Sequence, residues 1–178
     1  METNLPIEIG EEETTTTMMF YITQGLVWGD IVHHNQALPG RLLVGASTPD
    51  TISLYNAQIM FTESNFISRP VKYSEIFIHA ENVLAYHLMP PKEDQLDYDP
   101  TEPHRIMSPV IAYIGPFKTK AQMRISDRTS VRTNLEVGKA DFITFYDAEI
   151  THPHNPNMSP IKNNLVYIRQ KTGIFVVE

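Results

Sequence analysis

The segment Asp50-Thr-Ile-Ser-Leu-Tyr-Asn-Ala-Gln-Ile59 recurs as Asp141-Phe-Ile-Thr-Phe-Tyr-Asp-Ala-Glu-Ile150, 91 residues downstream. Five of the ten positions are identical, and four more exchange Ser for Thr, Leu for Phe, Asn for Asp or Gln for Glu. Arg41 falls on Arg132 at the same spacing. After one deleted residue, Pro70-Val71-Lys72 falls on Pro160-Ile161-Lys162, Ile76–His79 on Val166–Arg169, and Leu84-Ala85-Tyr86 on Ile174-Phe175-Val176. Blocks that keep order and spacing are the mark of an internal repeat. The chain therefore reads as a tandem duplication, with one copy over residues 18–88 and the other over 109–178. An acidic, proline-rich linker (89–108) joins them, and residues 1–17 read as a disordered acidic tail.

The matched blocks are rich in β-branched and aromatic residues and are bounded by Asp, Pro, Asn and Gly, as strands are. The opening strands are expected at Met18–Ile22 and Leu26–His34, and at Val110–Ile114 and Phe117–Ile125. In the last of these, Phe117, Thr119, Ala121, Met123 and Ile125 alternate with Lys118, Lys120, Gln122 and Arg124, the period of a half-buried strand. Ala80-Glu81-Asn82 and Gly173 suit turns between the last two strands of each copy. Only Thr129–Val137 suggests a helical turn. Four to five short strands in so few residues predict an all-β fold of two small closed or nearly closed barrels, since closure removes exposed edges. So small a unit buries little on its own. The two are expected to pack on each other as a pseudo-twofold, single-chain analogue of a dimer.

Two motifs in each copy resemble those of Sm-like and SH3-like small barrels. Ile52-Ser-Leu-Tyr-Asn-Ala-Gln58 and Ile143-Thr-Phe-Tyr-Asp-Ala-Glu149 look like the first Sm-like strand motif, and Ile78-His-Ala-Glu-Asn-Val83 and Ile168-Arg-Gln-Lys-Thr-Gly173 like the second. The resemblance implies a small barrel and, as function, nucleic-acid binding. At the family's base-contacting Asn this chain has Thr51 and Phe142. The doubled pattern is also similar to bacterial families of paired small β domains, which imply no particular activity.

Composition narrows the function classes. There is no cysteine, which excludes disulfides, thiolate metal sites and cysteine nucleophiles. No apolar run approaches a membrane span, and the N-terminus lacks a secretory pattern, so a cytoplasmic location is expected. The net charge of −7 is uneven: residues 1–17 carry five acids and no base, whereas residues 109–178 carry nine bases against six acids. No nucleophile elbow, phosphate loop or zinc-protease helix motif occurs, no cofactor is expected, and the acids of tail and linker are expected to stay solvated and untuned.

Three candidate sites follow. Lys118, Lys120 and Arg124 share one strand face, with Arg128 and Arg132 close behind, a cluster suited to phosphates or to docking the chain's own acidic tail or linker. Trp28, Phe61, Phe66 and Ile67 form a candidate patch for a protein partner. In His152-Pro-His154 an extended segment would point both imidazoles the same way, as two ligands of a metal ion. Arg41 and Arg132 read as structural arginines pinning loops through hydrogen bonds to carbonyls, or as a pair of symmetric anion contacts. The leading expectation is a non-enzymatic binding or scaffolding protein whose partner is another protein. It would be a monomeric pseudo-dimer or a homo-oligomer with no membrane contact; nucleic-acid and metal binding are the alternatives.

Overall fold

Phe117, Thr119, Ala121, Met123 and Ile125 are all buried and the residues between them face outward, so the alternation in this segment places a strand with one wet face. The computed structural model describes residues 7–44, 48–63 and 66–177. Its strands are β1 (Glu13–Ile22), β2 (Gly25–His34), β3 (Thr51–Glu63), β4 (Phe66–Ile67), β5 (Val71–His79), β6 (Val83–Leu88), β7 (Arg105–Ile114), β8 (Phe117–Ser126), β9 (Phe142–Thr151), β10 (Ile161–Arg169) and β11 (Ile174–Val176). An α-helix, α1 (Val131–Val137), is capped by the Ser130 hydroxyl, which accepts from the Thr133 N–H. The fold is all-β.

All the strand pairs are antiparallel and form one sheet, ordered β11-β7-β8-β9-β10-β6-β1-β2-β3-β4, with β5 also paired to β3. Taken by halves, and apart from the two-residue β4, the order is β6-β1-β2-β3-β5 and β11-β7-β8-β9-β10, five strands against five. The ladders agree in detail. Met18 lies opposite Gly29 and Val110 opposite Ala121. The second ladder shifts register between Trp28 and Asp30 in one half and between Lys120 and Gln122 in the other. Beside that bulge Asn56 and Asp147 take left-handed backbone, at φ 49° and 50°, the conformation Asn and Asp tolerate best after glycine.

Several expectations are corrected. β1 begins at Glu13, because the run Thr14–Thr17 continues the ladder against Asp30–His33 and threonine favours strands; the acidic tail therefore loses its last residues to the sheet, and its residues 1–6 lie outside those described. β7 likewise starts at Arg105, inside the expected linker. The strands after Ala80–Asn82 and Gly173 do not form hairpins with their predecessors: β6 crosses to β1 and β11 to β7. Among the described residues no ladder closes β5 on β6 or β10 on β11. The halves meet through β10 and β6, the last strand of one order and the first of the other. That contact joins unlike surfaces, so the near-twofold arrangement does not hold; it is head-to-tail. The ladders also move the last match by one residue. Tyr21 faces Ala85 and its counterpart Tyr113 faces Ile174, so Ala85-Tyr86-His87 correspond to Ile174-Phe175-Val176.

Two apolar cores result, and each draws on both halves. Met19, Tyr21, Leu26 and Ala85 join the second-half residues Phe117, Phe145, Ile150 and Val166. Phe142 and Tyr167 join Met18, Phe20, Leu54 and Tyr86 in the first half. Along β1 the odd residues point into one core and the even ones into the other, so Met18-Met-Phe-Tyr21 has no wet face.

Candidate interaction site

The contact between the halves gathers polar and aromatic groups from both. Tyr167 on β10 lies opposite Tyr86 on β6, and their rings stack 4.9 Å apart. Arg169, at the end of β10, crosses to the first half and donates to the carbonyls of Val83 (2.7 Å) and Ala80 (2.5 Å). It also pairs with Asp141 and lies 4.5 Å over the Phe142 ring. A planar fork is needed to reach all of these at once. Deeper in, the Asn163 amide donates to the Leu88 carbonyl (2.8 Å) and lies 3.1 Å from His87 Nδ1. His87 Nε2 is 3.0 Å from the Tyr21 hydroxyl. Burial pushes His87 down to about 4 and raises Tyr21, so both are neutral at pH 7.

The linker is not a free acidic spacer. Asp97 accepts from the Tyr146 hydroxyl (2.6 Å) and the Thr144 hydroxyl (3.3 Å), with Arg41 4.0 Å away. Tyr98 sits edge-on to Tyr146 and beneath Arg124. Asn164 donates to the Asp94 carbonyl. The Asp94 carboxyl packs against Gly40, where a Cβ would fall 2.1 Å from it. Desolvation there, only partly offset by the Gly40 backbone and reinforced by Asp97, raises its pKa to about 6. At least one linker acid is therefore desolvated, contrary to the expectation for that segment. Asp97 was invisible as a docking group because the hydroxyls that bond it lie 47 and 49 residues away.

The basic row is divided by the structure. Lys118 and Lys120 face outward on β8 and line a groove of about 520 Å³ with Ile111, Asp147, Glu149 and Val176. Two carboxylates thus share their surface. Arg124 is taken by the linker, 2.6 Å from Glu102, and Arg132 by Glu136 within α1 (2.8 Å); Arg128 is exposed beyond the strand. Arg41 and Arg132 both lie in short helical turns between the second and third strands of their halves, and both meet carboxylates rather than carbonyls. The two histidines do not share a direction, since the chain turns directly after β9. His152 is buried edge-on to Phe117 and His154 is exposed, their rings 6.3 Å apart. Among the described residues no group of three His, Asp or Glu side chains gathers as a metal site.

Of the candidate partner patch, Trp28 packs against the second-half core, Phe61 is exposed, and the side chains of Phe66 and Ile67 lie outside those described. The larger exposed apolar rows are elsewhere. They run along β5, through Val71, Tyr73 and Phe77, and at the other end of the sheet through Tyr113, Ile174, Val176 and Val177. Sequence reasoning missed them because nothing local tells an exposed apolar strand residue from a buried one: Tyr113 and Phe77 are exposed, and their counterparts Tyr21 and Tyr167 are buried. Comparison with family models, curated proteins and solved structures finds no match to this chain. Among the described residues no helix is long and apolar enough to cross a membrane.

Proposed function

We propose that the chain is a non-catalytic scaffolding protein, a tandem duplication of one small five-stranded β unit that acts by offering its outer sheet edges to protein partners. The observation that carries this reading is the matched strand order, register and bulge of the two halves, combined with unlike fates for their outer strands. β6 and β10 are each buried under the other half, whereas β5 and β11 present apolar side chains to solvent. A long edge with unpaired backbone groups and exposed apolar residues is a template for strand addition. The groove over Lys118 and Lys120, with its mixed charges, is a second surface on the same unit.

Site-specific photo-cross-linking tests the reading in the cells that make the protein. With p-benzoylphenylalanine at position 77 or 113, irradiation should give discrete protein adducts. The same residue at Val137, exposed on α1 and outside both edge strands, should give none. An equal, diffuse pattern at all three positions, or no adduct at 77 and 113, would refute scaffolding through these edges.

A further inference from the structure

The seam between the halves uses two unlike surfaces, and a free counterpart of each exists on the same molecule. One surface is β10; its counterpart is β5. The other is β6 with the outward side of β1; its counterpart is β11 with the outward side of β7. Burial records the difference. Tyr167 is 2% exposed and its counterpart Phe77 64%; Ala85 is 0% and Ile174 66%; Tyr21 is 0% and Tyr113 37%. Residues that are core at the seam are bare at the two ends of the sheet. A heterologous contact whose two faces both remain available is self-propagating.

We infer that a second copy of this chain docks head-to-tail, β11 of one copy adding antiparallel to β5 of the next in the register of the internal seam. This rests on the duplicated-scaffold reading and names the partner of its edges. At the seam Tyr167 faces Tyr86 and Ile168 faces Ala85. Carried onto the counterparts, Phe77 of one copy faces Phe175 of the next, and Ile78 faces Ile174. The Phe77 and Phe175 rings then repeat the stacked Tyr86 and Tyr167 pair. Tyr113 enters the first-half core of the neighbour as Tyr21 enters the second-half core at the seam, where it meets Phe117 edge-on. The outer contact differs in its polar groups. Arg169, Asn163 and His87 are replaced by His79, Tyr73 and Val176, so it lacks the arginine clamp and the buried polar chain and is mainly apolar. No linker spans it, so it depends on concentration, whereas the inner seam is held covalently.

Two blocked variants test the inference on the full chain. Phe77→Lys places a charge on one edge only and Ile174→Lys on the other. Wild-type protein should sediment as multiples of 20.3 kDa, each variant alone as a monomer, and an equal mixture as a heterodimer through the two intact edges. Wild type that stays monomeric at every attainable concentration overturns the inference. So does either variant forming dimers alone, which would mean a symmetric contact. The chain contains no cysteine, which permits a test that does not depend on a lysine being tolerated. A mixture of Phe77→Cys and Phe175→Cys should oxidise to a mixed disulfide dimer, with little from either alone; equal yields from the single variants overturn the register. If the photo-cross-linker at position 77 captures a different protein and never its own chain, scaffolding stands and head-to-tail self-docking falls.

Discussion

Asn56 and Asp147 are exposed and hold left-handed backbone beside the same bulge of each half. For a residue with a Cβ this conformation costs roughly 1–2 kcal/mol, least for Asn and Asp and nothing for Gly. Replacing Asp147 with Val should therefore lower the unfolding free energy by about 1–2 kcal/mol, whereas Asp147→Gly should leave it nearly unchanged, both read from urea midpoints. Equal effects of the two substitutions would mean that the carboxylate, not the backbone, matters there. The pair was legible in advance as a repeated Tyr-Asx-Ala, and only its backbone meaning was hidden. His152 was not legible at all: a histidine followed by proline reads as loop, yet it is buried against Phe117. Nothing local distinguishes a solvated imidazole from one that tertiary packing covers.

Among the elements, the seam and the linker carry groups that titrate in opposite senses. His87 has an ordinary value of 6.5 and is lowered to about 4 by burial. The unfolded chain thus takes up that proton first, and stability falls as pH drops through this window. Asp94 is raised from 3.8 to about 6 by desolvation. The folded chain takes up that proton first, so stability rises as pH drops from about 6 to 3.8. The two partly cancel in the wild type. Asp94→Asn removes the compensating rise, so relative to wild type it should lose stability between pH 7 and pH 4.5, by about 1 kcal/mol once solvent screening of the half-buried carboxyl is allowed for, measured by urea denaturation at both values. Parallel pH profiles would show that Asp94 is not desolvated. Strand positions were readable in the sequence because alternation and turn residues are local. Pairing was less so: β6 and β11 both look like last strands of a hairpin, and only their ladders with β1 and β7 show which residues correspond. The linker's docking depended on Tyr146 and Arg124, neither of which is unusual in its own surroundings.

For the molecule as a whole, one sheet and two shared cores replace the picture of two self-contained barrels. A half without its companion would uncover Met19, Tyr21 and Leu26 on one side, or Phe142 and Tyr167 on the other. Neither half carries a complete core. The run Met18-Met-Phe-Tyr21 breaks the alternation seen elsewhere, as Leu165-Val-Tyr-Ile168 does, and that irregularity is the sequence's sign of a strand covered on both sides. It has a further consequence for backbone amide protons. Those of Met18–Tyr21, roofed from both directions and bonded to β2 and β6, have no local opening that admits solvent. Deuterium should enter them only at the rate of whole-chain unfolding, while the outward amides of β5 should exchange far sooner in the isolated chain. If the amides of Met18–Tyr21 exchanged as early as those of β5, the two halves would be separating without unfolding.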